Sequence, residues 1–184
     1  MSRYTRRAIL AGAVCAGLAA CGNGVNSPGP EIIDARVEAT LEQLYTEYPS
    51  TRDLAQDASG LLVMPVMTKA ALGAGGAYGR GALVVDGAII DYYSAVKASI
   101  GFQVGAQQYA HVLFFMTDDA LYNFRTSSGW EAGGDIEYAV NDRGGNLSAS
   151  TLTSLSPVIG VIFGQAGLMA SAAVDGTKYT RIIP

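Results

Sequence analysis

The chain has 184 residues, 49% of them hydrophobic, and sets 12 Lys and Arg against 16 Asp and Glu for a formal net charge of −4. That length and composition suit one ordinary domain with a sizeable apolar core. The acidic balance excludes a nucleic-acid binder, whose phosphate contacts need clustered Lys and Arg, and gives no obvious electrostatic attraction to an anionic membrane.

The first seven residues carry Arg3, Arg6 and Arg7 and no acid, and an apolar run follows from Ala8 to Ala20. A bilayer span needs roughly 20 apolar residues, so this run is too short to be one. A charged start, a short apolar middle and a small-residue exit describe a secretory signal peptide. Arg6-Arg7 before the apolar run fits the twin-arginine export signal, with the general secretory route as the alternative. The exit, Leu18-Ala19-Ala20-Cys21, resembles the lipobox of bacterial lipoproteins, in which the cysteine sulfur receives a diacylglycerol and becomes the mature N-terminus. Gly22 stands where an aspartate would signal inner-membrane retention, which favours an outer-membrane lipoprotein facing the periplasm.

The expected organisation is a signal peptide over 1–20, a tether over 21–30 and a single domain over 31–184. Cys15 leaves with the signal and Cys21 takes the lipid, so the mature domain has no disulfide in an oxidising compartment. Removing Arg3, Arg6 and Arg7 leaves 9 basic residues against 16 acids, a charge of −7.

Gly22 to Pro30 reads as a Gly/Pro/Asn tether, with Pro30 suited to a first helical turn. From Glu31 to Tyr48, Ile33, Val37, Leu41, Leu44, Tyr45 and Tyr48 recur at spacings of three and four, opposite Asp34, Glu38, Glu42 and Glu47. This is an amphipathic helix stopped by Pro49. Its apolar face meets either the core or lipid; the acidic opposite face argues against lipid, since membrane-surface helices carry Lys and Arg there. Ser50 and Asp53 suggest a capping box for a short helix to about Ala58.

From Gly60 the period becomes two. Leu61 to Met64 reads as a short strand ended by Pro65. Two strands flank Asp86-Gly87, a hairpin turn signal. Residues 97–107 alternate, with Ala98, Ile100, Phe102, Val104 and Ala106 on one face and Ser99, Gly101, Gln103, Gly105 and Gln107 on the other. "YAHVLFFM" reads as the next strand. Thr117 should cap a helix to about Thr126, with Asp118 and Asp119 in its first turn. "DIEYAV" reads as a strand and "NDRGGN" as a loop. A further hairpin is expected around Gln165-Ala166-Gly167, and a last turn at Asp175-Gly176. The expected fold is α+β: an N-terminal amphipathic helix plus a curled, mostly antiparallel β-sheet, sandwich or partly closed barrel, with one mid-chain helix. Glycines inside the strands, among them Gly79, Gly81 and Gly164, suggest bulges and strong coiling.

Little here points to catalysis. His111 is the only histidine and sits in an apolar strand, where a structural role is expected. One histidine and no thiol beyond the lipidated cysteine cannot make a usual zinc site, and no G-x-S-x-G elbow exists. "GAGGAYG" (73–79) misses the G-x-G-x-x-G spacing, since its third glycine would fall on Tyr78. Asp118/Asp119 and Asp135/Glu137 read as solvated acids. No catalytic residue, metal site or cofactor is assigned.

Several stretches together resemble one family. They are "GLLVMPVMTKAALGAGGAYGRGALVVDG", with Thr68-Lys69-Ala70 and Tyr78-Gly79-x-Gly81, and "DYYSAVKASIGFQVGAQQY", with Gly101-x-Gln103-x-Gly105-Ala106-Gln107. "LFFMTDDALYNF", the Gly129-Trp130-Glu131 turn and "GLMASAAVDGTKYT" complete the set. Over about residues 35 to 182 the chain resembles the SYLF domain family, which is related to yeast actin-binding SH3 proteins. The resemblance implies binding of lipid, phosphoinositides in eukaryotic members, and of actin in fungal ones. Actin is not an expected partner in a periplasm. Lys69, Arg80 and Lys97 are the headgroup contacts the resemblance offers, and the apolar grip would come from the sheet interior or the 31–48 helix. The Gly73–Gly81 segment either approaches a ligand or fits a crowded sheet. A structural or protein-interaction lipoprotein is the alternative function.

Overall fold

The computed structural model describes residues 29–133, 136–140, 156–167 and 176–184. The signal peptide, Cys21, Arg6, Arg7, the NDRGGN loop and Asp175 lie outside the described residues.

Helix α1 spans Gly29–Glu47, two residues earlier than expected, with Pro30 in its first turn. It buries Ile33, Val37, Thr40 and Leu44, one stripe at helical spacing. Helix α2 spans Thr51–Asp57. The expected capping box is not formed: Ser50 adopts a helical conformation and makes no side-chain cap bond. Thr51 instead donates its hydroxyl to the Tyr48 carbonyl at 2.7 Å, joining the two helices across Pro49.

Strands β1 (Gly60–Val85) and β2 (Ala88–Phe115) form one antiparallel hairpin around Asp86-Gly87, whose φ angles of 52° and 76° are those of the expected turn. Pro65 does not end a strand, and 97–107 and 109–116 are not separate strands. The ladder runs through both regions. It tolerates Pro65 because the register shifts between Met64 and Met67, and a bulge takes the missing N–H out of the pairing.

A straight strand of 26 residues would be about 85 Å long at ~3.3 Å per residue, far more than a domain of this size can hold. β1 therefore folds back on itself. A Cβ on Gly81 would lie 2.0 Å from the Val63 carbonyl oxygen, and one on Gly79 would lie 2.6 Å from the Val66 carbonyl oxygen. Gly79 and Gly81 thus serve a close backbone approach rather than bulges, and this much of the 73–81 segment fits a crowded sheet. Gly164, with φ 61°, does sit at a bulge, in β5 (Val158–Gly167) opposite Gln108 to Ala110.

β1 occupies one edge of β2 along nearly its full length. Strands β5 and β6 (Thr177–Ile182) share the other edge, with Gln107 opposite Gly167 and Lys97 opposite Thr177. The chain does not turn back at Gln165-Ala166-Gly167, as the glycine suggested. Those residues continue β5 along β2. A turn precedes β6 at Gly176. Strand β3 (Trp130–Glu131) pairs with β6, and β4 (Ile136–Val140) pairs with β5 in parallel, the one parallel pair among the described residues of a mostly antiparallel sheet. The architecture is the expected α+β fold with a curled sheet.

Two cores lie on its two faces. The outer one joins Ile33, Val37 and Leu44 of α1 and Leu54 of α2 to Leu61, Val63, Ala82, Val84, Val112 and Phe114. So the apolar stripe of α1 meets the sheet, not lipid. The inner one fills the curl with Leu62, Met64, Met67, Leu83, Tyr93, Tyr109 and Leu113. It is closed by Phe124 of helix α3 (Asp118–Thr126), whose ring lies 4.7 Å from Tyr93, 4.8 Å from Phe115 and 5.4 Å from Trp130. Thr117 caps α3 as expected, accepting from the Ala120 amide at 3.2 Å. His111 is fully buried, with Nε2 sharing a 2.8 Å hydrogen bond with the Tyr179 hydroxyl. Desolvation lowers its pKa to about 3.

Two predictions follow from this packing. Gly81→Ala, forced against a backbone oxygen, should destabilise by about 3 kcal/mol, while Gly87→Ala, in open space at positive φ, should cost about 1 kcal/mol. Denaturant midpoints compare them, and equal costs would contradict the fold-back of β1. Because His111 stays neutral in the fold and takes a proton near pH 6.5 when unfolded, its contribution is present above that pH. It is lost towards about pH 3, at up to about 1.4 kcal/mol per pH unit. His111→Gln should flatten this slope; an acid profile parallel to that of the unchanged chain would contradict the buried neutral ring.

Candidate functional site

Residues opposed in an antiparallel ladder share a face of the sheet. Ala77 with Lys97, Gly79 with Ala95 and Gly81 with Tyr93 therefore lie on the inner face, where Ala77, Ala95 and Tyr93 join the core. Lys69 opposes Gln107 one step along from Met67 and Tyr109, so it too takes an inner-face position. Arg80 opposes Ser94 on the outer face, with Tyr78 opposite Val96 and Gly76 opposite Ala98. The fold puts Lys69 and Lys97 on one face and Arg80 on the other, so the three do not form one headgroup site.

The middle of this hairpin departs at several positions from the usual alternation, in which a one-sided sheet turns its apolar residues to the core, although Ala77 and Ala95 are buried inside and Thr68 and Gln108 are exposed outside. Its inner positions hold buried Gln107 and Thr177 and half-buried Lys69 and Lys97. Its outer positions hold Tyr78 at 53% exposure and Val96 at 52%, with exposed Ala70, Ala98 and Ala106. Val66, in the bulge beside Pro65, is 37% exposed. Of the 97–107 alternation, the side chains of 99–104 lie outside the described ones. At its two ends Ala98 and Ala106 belong to the exposed face, and Gln107 to the buried one.

The charge is equally one-sided. Residues 61–85 and 92–116 contain no Asp or Glu, yet they carry Lys69, Arg80 and Lys97. α1 alone carries Glu31, Asp34, Glu38, Glu42 and Glu47 against Arg36. Among the described residues Arg80 has no acidic partner within salt-bridge distance.

Two grooves of about 410 Å³ each lie elsewhere. One, between the helices and the hairpin, is lined by Leu41, Tyr45, Ala55, Leu61 and Val84, with the Arg52 guanidinium 4.9 Å from the Tyr45 ring centroid at its rim. The other runs along α3, by Leu121, Tyr122, Arg125 and Arg181. There Asp91 Oδ2 receives Arg181 at 3.1 Å and Arg125 at 3.6 Å. Burial pushes the nearby Tyr93 hydroxyl above its ordinary pKa, and Arg181 opposes the shift. The sequence reading missed this arginine pair. Residues 91, 125 and 181 are far apart in the chain, and only β2, α3 and β6 bring them together. Asp91 and Asp118 offset the two arginines, so the groove is not cationic overall.

Among the described residues no group of three His, Cys, Asp or Glu is placed to hold a metal ion. No described helix is long and apolar enough to cross a membrane.

A comparison with curated proteins finds no match. Residues 96–181, from the middle of β2 into β6, match the Ysc84 family model, described as Las17-binding protein actin regulator. That match includes Gly101-x-Gln103-x-Gly105, the Trp130 turn and the closing strand, the motifs that resembled the SYLF family. Over residues 96–181 the chain is similar to that family, which is the SYLF-related family its motifs resembled.

Proposed function

We propose that this protein is an exported lipoprotein, anchored through Cys21 after an Arg6-Arg7 signal, whose SYLF domain binds lipid without catalysing a reaction. The domain stands in the periplasm at the outer membrane, held by the acyl chain on Cys21, and needs no cofactor. The observation that carries the lipid reading is the exposed apolar pair Tyr78 and Val96, opposed on the sheet's outer face, with Val66 exposed in the bulge beside Pro65. Exposed apolar patches of this kind mark interaction surfaces. The two sources of grip first expected are already engaged, since the inner face packs its own core and the α1 stripe packs on the sheet.

The similarity to Las17-binding actin regulators supports a second reading, a lipoprotein that holds a protein partner in the envelope. Actin itself is not expected in that compartment.

The whole chain, purified from cells, should carry co-purified lipid in near-stoichiometric amount by native mass spectrometry, or float with phospholipid vesicles once Cys21→Ser has removed the acyl group. A clean protein that ignores vesicles of every composition would contradict the lipid reading and leave the protein-partner reading.

A further inference from the structure

We infer that the groove along α3 binds a small zwitterion of the phosphoethanolamine type, with its phosphate on Arg125 and Arg181 and its ammonium on Asp118. This goes beyond the lipid reading and does not rest on it. Helix α3 closes the inner core, so its groove lies on the side of the sheet opposite Tyr78 and Val96.

Helical spacing builds the groove. Asp118 and Arg125 are seven residues apart, two turns of α3, and fall on one face with Leu121 and Tyr122 between them. At ~1.5 Å per residue they stand about 10 Å apart along the axis. Arg181 of β6 joins Arg125 at one end, both of them beside Asp91. The groove of about 410 Å³ thus runs from an acid, past an apolar stretch, to a pair of guanidinium groups.

The cationic end has donors to spare. Arg181 and Arg125 stand 3.1 Å and 3.6 Å from Asp91 Oδ2, yet neither hydrogen-bonds to that oxygen. Arg181 directs one N–H at the Arg125 carbonyl, at 3.5 Å. Each guanidinium holds five N–H groups in a fixed fork that suits the oxygens of a phosphate. The two side chains are 44% and 52% exposed, so the forks are open to solvent. Behind them lies the Tyr93 hydroxyl, on the cross-strand neighbour of Arg181. It is buried, and its proton has no acceptor among the described residues. A buried donor left in this way is costly, and an oxyanion held by Arg181 supplies the acceptor.

Charge selects the occupant. Asp91 and Asp118 balance the two arginines, so the groove favours neither a simple anion nor a simple cation. A molecule carrying both charges satisfies both ends. Asp118 already accepts from the Ser59 hydroxyl at 2.6 Å, but a carboxylate has room for further donors and an ammonium brings three. A hydrogen bond of about 3 Å at each end leaves about 4 Å between the ligand's charges, the span of a two-carbon bridge.

The test titrates the whole chain, with Cys21→Ser, by calorimetry against glycerophosphoethanolamine, glycerol phosphate and ethanolamine. The first should bind, and the other two about tenfold or more weakly, since each leaves one end unpaired. Arg125→Gln should weaken both phosphate compounds about tenfold. Asp118→Asn, which keeps an acceptor for Ser59, should bring glycerophosphoethanolamine down to the level of glycerol phosphate. Tyr93→Phe should weaken both while leaving the thermal midpoint unchanged or raised, because it removes a hydroxyl that the fold leaves unpaired. Arg52→Gln, in the other groove, should change nothing. If Arg125→Gln does not fold, Asp118→Asn and Tyr93→Phe decide. Glycerol phosphate bound as tightly as glycerophosphoethanolamine, or binding that the changes at 93, 118 and 125 do not move, would overturn the site. A chain that floats with vesicles but ignores glycerophosphoethanolamine overturns it too, and leaves the lipid reading standing. Dihexanoyl phosphatidylethanolamine bound much more tightly than glycerophosphoethanolamine would support the site with a lipid as the source of the group; equal binding would support it with the free compound.

Discussion

The backbone of β1 at Gly79 and Gly81 lies against the carbonyls of Val66 and Val63, too close for any Cβ. That approach turns a 26-residue strand back on itself, and the rest of the fold depends on the turn. It brings Leu62, Met64 and Met67 over Leu83 and Tyr93 to make the inner core. It also sets Leu61 and Val63 beside Ala82 and Val84, as a platform for α1 and α2. With both halves of the hairpin occupied in this way, its middle spans between them. There the outer face carries Tyr78 and Val96 into solvent.

An exposed apolar pair costs solubility, and most one-sided sheets avoid it by turning polar residues outwards. Here some polar residues are turned in, while Thr68 and Gln108 stay exposed outside. Gln107 and Thr177 are buried at the inner positions, and Lys69 and Lys97 are half-buried there. Residues 61–85 and 92–116 of the ladder carry no acid; the described acids sit on the helices, at turns, at Asp91 of β2 and on the short strands.

Much of this was legible in the residues. The spacing of Ile33, Val37 and Leu44 marked a helix and its buried stripe, Asp86-Gly87 marked the hairpin, and Thr117 marked the start of α3. Strand ends were less legible. Pro65 reads as a terminator unless a bulge absorbs it, and Gly167 reads as a turn unless a long neighbour holds β5 extended. The Ser50 cap failed because Thr51 reaches the Tyr48 carbonyl instead. For the candidate site, the alternation at 97–107 showed two chemically different faces. Which of them points outwards is a property of the register with Tyr78 and Lys69, whose partners Val96 and Gln107 lie about twenty and forty positions away. The Asp91, Arg125 and Arg181 cluster, built from three elements, left no local trace at all.

The match over residues 96–181 supports a binding domain, and the exposed pair Tyr78 and Val96 supports a lipid surface as what it binds. The most direct test places a polarity-sensitive fluorophore on a single cysteine, Tyr78→Cys, in a chain whose own cysteines are changed by Cys15→Ser and Cys21→Ser. Added phospholipid vesicles should shift its emission to the blue and expose it to quenchers carried in the acyl region, while the same label at Tyr122→Cys stays in water. A label at 78 that remains in water while the protein sits on vesicles would contradict the account.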